Sequence, residues 1–173
     1  LITRVQMEFP EARIVHRLDW ETSGLLVLAR NARAHSFLSK AFASRQVDKT
    51  YVALIDAPLE PAEGLIDLPI GKDPERRPRY RIDPERGRPS QTRYRIAATE
   101  ETAVRVILEP ITGRSHQLRV HLLAQGRPIQ GDTLYHLEAE RHDRLMLHAT
   151  RLAFPDPEHP TEPAVDYELA APF

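Results

Sequence analysis

Apolar positions along the chain change their period several times, and each period predicts a different element. Arg13 to Val15 reads as a short extended stretch leading into a polar turn around Asp19. Leu25 to Ala29 is an unbroken apolar run, which predicts a buried strand. Asn31 follows as a helix N-cap, and Ala34, Phe37, Leu38, Ala41 and Phe42 recur at helical spacing, so a helix should run to about Arg45. Thr50 to Ile55 is a strand headed by Tyr51, and Pro58 to Pro69 reads as loop. Arg79 to Ile82 and Thr92 to Ile96 are strands bracketing the turn Pro84-Glu85-Arg86-Gly87.

Ala103 to Leu108 is another strand, and Thr112-Gly113 makes a turn. Ser115 is placed to cap a helix through Gln125, which Gly126 closes. Arg127 to Tyr135 reads as loop; Leu145 to Phe154 and Ala164 to Leu169 read as extended. Ile2 to Phe9 has the pattern of an amphipathic helix end. Strands and helices mix without a βαβ rhythm, so the expected class is α+β, with a mixed, largely antiparallel sheet and flanking helices.

A length of 173 residues, 41% of them hydrophobic, suits one domain with a real core. No apolar run approaches the length that crosses a bilayer, and no secretory signal opens the chain; a cytoplasmic location is the expectation. Without cysteine there is no disulfide, thiolate chemistry or zinc–thiolate site, which also excludes the zinc deaminase signature. His116 and His121 are five apart, a poor spacing for one helix face, and no metal is expected. Asp19 and Glu21 are too close in sequence to flank a sugar as a glycosidase pair.

The net charge of −1 hides a strong asymmetry. Lys72 to Arg95 carries nine basic and four acidic residues, whereas His136 to Glu168 carries eight acids against three arginines. The first segment is either a solvated, salt-bridged loop or a phosphate-binding patch. Arginine supplies 21 of the 24 basic residues, and its planar fork binds phosphate and stacks on bases.

Asp19 carries the candidate chemistry. A carboxylate beside a Gly-containing turn that leads into an apolar run sits at the mouth of a core, with His16 and Arg17 next to it. Arg119 lies among leucines and a valine in Ser115–Leu123. It is either a surface arginine or a buried one that needs a carboxylate, for which Asp19 is the candidate. Tyr51 is either packed in the sheet or a stacking platform for a base.

Several ordered blocks resemble the RluA-type pseudouridine synthase family. They are His16-Arg17-Leu18-Asp19-Trp20-Glu21-Thr22-Ser23-Gly24-Leu25, Lys49-Thr50-Tyr51, and Gly87-Arg88-Pro89-Ser90-Gln91-Thr92. Pro110-Ile111-Thr112-Gly113-Arg114-Ser115-His116-Gln117-Leu118-Arg119-Val120-His121 is the longest; Gly126 to Asp132 with Tyr135, and Leu147-His148-Ala149, complete the set. Ala62 to Pro69 and the form of the longest block are similar to the dual-specificity branch acting on tRNA and large-subunit rRNA.

The resemblance implies isomerisation of uridine to pseudouridine in tRNA or rRNA, with no cofactor and no metal. It implies Asp19 as the essential carboxylate, attacking the sugar or removing its 2′ proton. Arg119 would pair with Asp19, Tyr51 would stack on the uracil and take the C5 proton, and Arg17 would fill the gap left by the flipped base. Leu147 would add an apolar wall. The expected partner is RNA and the expected state a monomer, with no membrane association. Residues 1–173 would form a single catalytic domain lacking the family's N-terminal strand segment with its Lys-Pro-x-Gly motif. A catalytically inactive RNA-binding module of the same fold is the alternative.

Overall fold

In the computed structural model, which describes all residues 1–173, a seven-stranded sheet organises the chain. The elements in order are α1 (Ile2–Gln6), β1 (Arg13–Ile14), β2 (Ser23–Gly24), β3 (Leu28–Ala29), α2 (Ala32–Ala43), β4 (Asp48–Ile55) and β5 (Glu63–Asp67). They continue with β6 (Ile70–Lys72), β7 (Tyr80–Ile82), β8 (Gln91–Thr99), β9 (Val104–Pro110), α3 (Gln117–Ala124), a 3₁₀ turn (Ala139–Arg141), β10 (Leu147–Phe154) and β11 (Val165–Glu168). The sheet order is β11-β10-β4-β9-β8-β5, with every neighbouring pair antiparallel. β2 adds the one parallel pairing, on β10, so the expected α+β class holds.

Cross-strand partners share a face, and alternate residues along a strand do too. Tyr51 pairs with Leu108 and Ala149, and Ala53 pairs with Val106 and Leu147. One face of the sheet therefore presents Tyr51, Ala53, Ile55, Val104, Val106 and Leu108. Leu118 and Leu122 of α3 pack on it with Ile129 and Leu145 to form the main core. Lys49 pairs with Leu152 on the same face, and there Leu152 and Phe154 meet Leu38 and Ala41 of α2. Both helices thus cover the same side, α3 at one end and α2 at the other, with Lys49 and Tyr51 between them. On the opposite face, the Phe173 ring packs near His148 and over Arg105.

Local chemistry explains the helix ends. The Asn31 side chain accepts from the Ala34 N–H at 2.8 Å, capping α2 as expected. Ser115 does not cap α3. His116 takes the N-cap place in a left-handed conformation (φ 54°), and its side chain makes no capping bond. The Gln117 carboxamide ties down this turn instead, accepting from Arg114 N–H at 3.0 Å and the Thr112 hydroxyl at 2.7 Å. Gly126, at φ +68°, ends α3 as expected.

Three expectations change. Leu25–Ala29 is not one strand: only Leu28–Ala29 pairs, with Arg13–Ile14, while Leu25 N–H donates to Ala149 O (2.9 Å) and Val27 N–H to His16 Nε2 (3.1 Å). Pro58–Pro69 is not all loop, because Glu63–Asp67 forms the sheet edge against β8. The two strands bracketing Pro84–Gly87 do not pair with each other. β7 pairs with β6, and β8 pairs with β5 and β9.

Candidate active site

The turn bearing Asp19 is fixed from both sides. Thr22 N–H closes it on Asp19 O at 3.0 Å. Immediately beyond, Ser23–Gly24 lies along His148–Ala149. Gly24 adopts φ +113°, and a Cβ there would stand 2.3 Å from Ala149 O, so this close backbone approach needs glycine. Ser23 Oγ bonds His148 Nδ1 at 2.8 Å and accepts from Arg144. On the approach side, His16 stacks on Phe42 of α2 with ring centroids 4.5 Å apart. Burial, reinforced by the Lys49 charge, lowers the His16 pKa to about 4. The ring is therefore neutral near pH 7, as its acceptance of the Val27 N–H requires.

This frame encloses a cavity of about 260 Å³ whose lining includes Arg17, Asp19, Lys49, Tyr51, Arg114 and Leu147. Three sequence-derived candidates, Asp19, Arg17 and Tyr51, thus meet at one place. Three cations and one carboxylate line the cavity, a balance that favours a polyanion. Burial and then the Asp19 charge raise the Tyr51 phenol to about 12, so it stays protonated at neutral pH. Burial lowers the Lys49 ammonium below its usual range, opposed by Asp48.

Arg119 is not in the cavity lining, and its direct partner is not Asp19. Its side chain is 2% exposed, and it donates from Nε (2.7 Å) and Nη2 (2.6 Å) to the fully buried Asp132. Glu21 adds a second carboxylate 3.6 Å from Nη2. A buried guanidinium takes the carboxylate that matches its fork, and Asp132 is itself held by N–H groups of Leu134 and Tyr135. Burial disfavours the charged Arg119, but Asp132, followed by the Asp19 charge, outweighs it and raises the pKa. Arg119 therefore makes no hydrogen bond to Asp19, and the two interact only through their charges.

A further group stands behind this pair. Tyr135 Oη accepts from Tyr80 N–H (2.8 Å) and lies 2.7 Å from His116 Nδ1, and its ring lies under the guanidinium groups of Arg119 (5.1 Å) and Arg79 (5.2 Å). The phenol thus bridges the Tyr80 backbone and the His116 ring. Burial lowers the His116 pKa, opposed by the Asp19 charge.

Lys49 and Asp132 join the site without having been candidates in the sequence. Lys49 had an available signal: it precedes Tyr51 by two on a strand, and i, i+2 residues share a face. Asp132 had none beyond its place in a matching block.

The basic segment divides. Five cations, Lys72, Arg77, Arg79, Arg81 and Arg86, and three acids, Asp73, Asp83 and Glu85, line a second cavity, of about 550 Å³, beside β6 and β7. Arg93 and Arg95 lie on β8 with Glu63 and Glu109. None of the nine basic residues from Lys72 to Arg95 forms an ion pair within 4.0 Å, which argues against a salt-bridged loop. No helix is long and apolar enough to cross a membrane.

Residues 7–124 match the family described as RNA pseudouridylate synthase. The dual-specificity RNA pseudouridine synthase RluA of Escherichia coli (strain K12) is 46% identical over 161 residues, covering 91% of this chain and 73% of that protein. Two solved human structures share the architecture. RNA pseudouridylate synthase domain containing 1 has a TM-score of 0.87 and 32% identity, covering 99% of this chain and 74% of that one. RNA pseudouridylate synthase domain containing 4 has a TM-score of 0.78 and 26% identity, covering 99% and 79%. An aspartate on a strapped turn, facing a tyrosine in a cation-lined cavity of this sheet, thus occurs in a chain that belongs to the RluA-type RNA pseudouridine synthase family.

Proposed function

We propose that Asp19 is the essential carboxylate with which this chain isomerises uridine to pseudouridine in structured RNA, in tRNA, large-subunit rRNA or both. The observation that carries the reading is the meeting of Asp19 and Tyr51 in one small cavity with Arg17, Lys49 and Arg114. The target must leave its stack to reach such a cavity, as in other enzymes that act on a base. Arg17, exposed at the cavity, then fills the vacated space in the loop. Tyr51 stacks on the detached uracil.

The C1′–N1 bond breaks, the uracil turns, C5 joins C1′, N1 gains a proton and C5 loses one. No atom or electron is gained overall, so the chemistry requires no redox cofactor. Asp19 either attacks C1′ or takes the 2′ proton. With its pKa raised to about 12, Tyr51 is protonated at the outset. It removes the C5 proton by passing its own to a neighbouring base, and Asp19 is the nearby carboxylate whose charge it feels. Arg119, locked on Asp132, supplies fixed positive charge behind Asp19.

The unpaired arginines beside β6 and β7 serve as the surface for the RNA backbone. The dual-specificity designation of the relatives supports substrates from more than one RNA class. Residues 1–173 act as one catalytic domain, a monomer working in the cytoplasm.

The test is tritium release from RNA carrying 5-tritiated uridine, on a tRNA stem-loop and on an rRNA hairpin. Wild type should release tritium, and Asp19→Asn should bind RNA with no release. Turnover by Asp19→Asn would remove Asp19 from the chemistry. Binding without release by the wild type would identify an RNA-binding module of the same fold.

A further inference from the structure

Trp20 is the single tryptophan of the chain, and its side chain is 98% exposed. It stands between Asp19 and Glu21, in the turn that Thr22 N–H closes on Asp19 O at 3.0 Å. The residues that follow it are tied down. Glu21 is held by Arg119 (3.6 Å) and by the Thr133 hydroxyl (3.3 Å), and Ser23–Gly24 is strapped to β10. The turn that carries Trp20 is therefore held next to Asp19 of the cavity, while almost no protein surface covers the indole itself.

Large aromatics normally contribute by burial, and an indole left wholly in water contributes nothing to this core. Other large apolar side chains stand in solvent, notably Leu137 (98%) and Met7 (85%), but they are aliphatic and lie outside the Asp19 turn. Only Trp20 pairs an open π face with this position. The adjoining cavity carries three cations, Arg17, Lys49 and Arg114, against the single carboxylate of Asp19, and Glu21, the other acidic neighbour of Trp20, is turned to Arg119. An aromatic platform beside cations that follow a backbone is the chemistry that binds single-stranded nucleic acid.

We propose that Trp20 stacks on the base of a loop nucleotide neighbouring the uridine that enters the cavity; this rests on the RNA synthase reading above. Extruding one base frees a face of its neighbour, and Trp20 offers that face a new partner. Tyr51 and Trp20 then divide the work: Tyr51 holds the target inside the cavity, and Trp20 holds the flanking nucleotide outside. Trp20 thereby helps choose the loop. A base whose face is large and free is favoured next to the target, and an abasic neighbour is rejected.

Because Trp20 is the only tryptophan, its fluorescence reports this contact directly. The titration uses the Asp19→Asn chain, so that RNA binds without turning over. The probe is a uridine-containing tRNA stem-loop RNA, with end-label anisotropy measuring binding independently. Trp20 emission should quench with the same Kd as the anisotropy change. Replacing one loop base next to the target by an abasic residue should abolish the quench. It should also weaken binding about 5- to 150-fold, the range expected for one base–aromatic stack. Trp20→Ala should weaken binding of the intact hairpin to the same extent and bind the abasic hairpin no worse, while Trp20→Phe retains most of the affinity. With Asp19 present, Trp20→Ala should raise KM more than it lowers kcat.

RNA binding by anisotropy with unchanged Trp20 emission would overturn the stacking contact and leave the synthase reading standing. Undiminished affinity of Trp20→Ala would do the same. Failure of the wild type and of Asp19→Asn alike to bind either the tRNA stem-loop or the rRNA hairpin would sink both.

Discussion

The charge of Arg119 is bound up with stability as well as chemistry. Two carboxylates face it, one fully buried at 2.6 Å and one about one-third exposed at 3.6 Å. The physics assigns them unequal weight. Removing Asp132 leaves a buried guanidinium with a distant, partly solvated partner, and orphaning one member of a buried pair costs about 3–5 kcal/mol. Removing Glu21 leaves the bidentate pair intact and costs less than about 1 kcal/mol. Urea unfolding of Asp132→Ala and Glu21→Ala should show this order. Equal, small losses would mean that Arg119 turns to Asp19 when Asp132 is gone, and that the two carboxylates exchange roles. Asp132→Ala should also slow turnover in excess of its effect on folding, since the fixed charge behind Asp19 would no longer be held.

Among the elements, the smallest strand has the largest consequence for the site. β2 is two residues long, and it fixes the Asp19 turn to β10 only because Gly24 permits both φ +113° and the close backbone approach. Gly24→Ala should destabilise by more than about 2 kcal/mol, from backbone strain plus the clash with Ala149. Gly126 also has positive φ, but a Cβ there meets nothing within 4 Å, so Gly126→Ala should cost only about 1 kcal/mol. Thermal unfolding of the two variants separates strain alone from strain with contact. Comparable losses would show that β2 can shift on β10. How legible each element was in the sequence follows from how local its causes are. α2 could be read from Asn31 and a helical apolar stripe, because its cap and its face lie within one segment. The run Leu25–Ala29 reported burial correctly as a tendency, but its backbone partners are single atoms of His16 and Ala149, far from it in sequence. β5 escaped because Leu65 is 52% exposed and Ile66 is 3% exposed: an edge strand with few apolar residues, paired with residues 91–95. That Asp19, Arg17 and Tyr51 would meet in one cavity was legible only through their short, distinctive blocks. The partner of Arg119 was not, because its choice of carboxylate is made by three-dimensional burial.

For the molecule as a whole, near-neutrality conceals two oppositely charged regions. The arginines beside β6 and β7 are unpaired, whereas Arg141 and Arg151 are engaged by Glu138 and Asp166. A polyanion approaching this surface should meet its free cations first and steer toward the cation-lined cavity with Asp19 and Tyr51. Phosphate contacts release counterions, so each contact adds roughly 0.7–0.9 to the slope of log affinity against log salt. Arg76 and Arg77 are exposed and lie away from the Tyr135 network, so changing them tests the surface without disturbing the site. Arg76→Gln with Arg77→Gln should weaken RNA binding at low salt and reduce the slope by about 1–2. Arg141→Gln should leave the slope unchanged, because that guanidinium is 2.8 Å from Glu138 within the acidic region. Binding isotherms across a salt series measure all three chains. A slope unaltered by the double variant would take Arg76 and Arg77 out of the interface. A slope reduced by Arg141→Gln would mean that RNA also reaches across the acidic half.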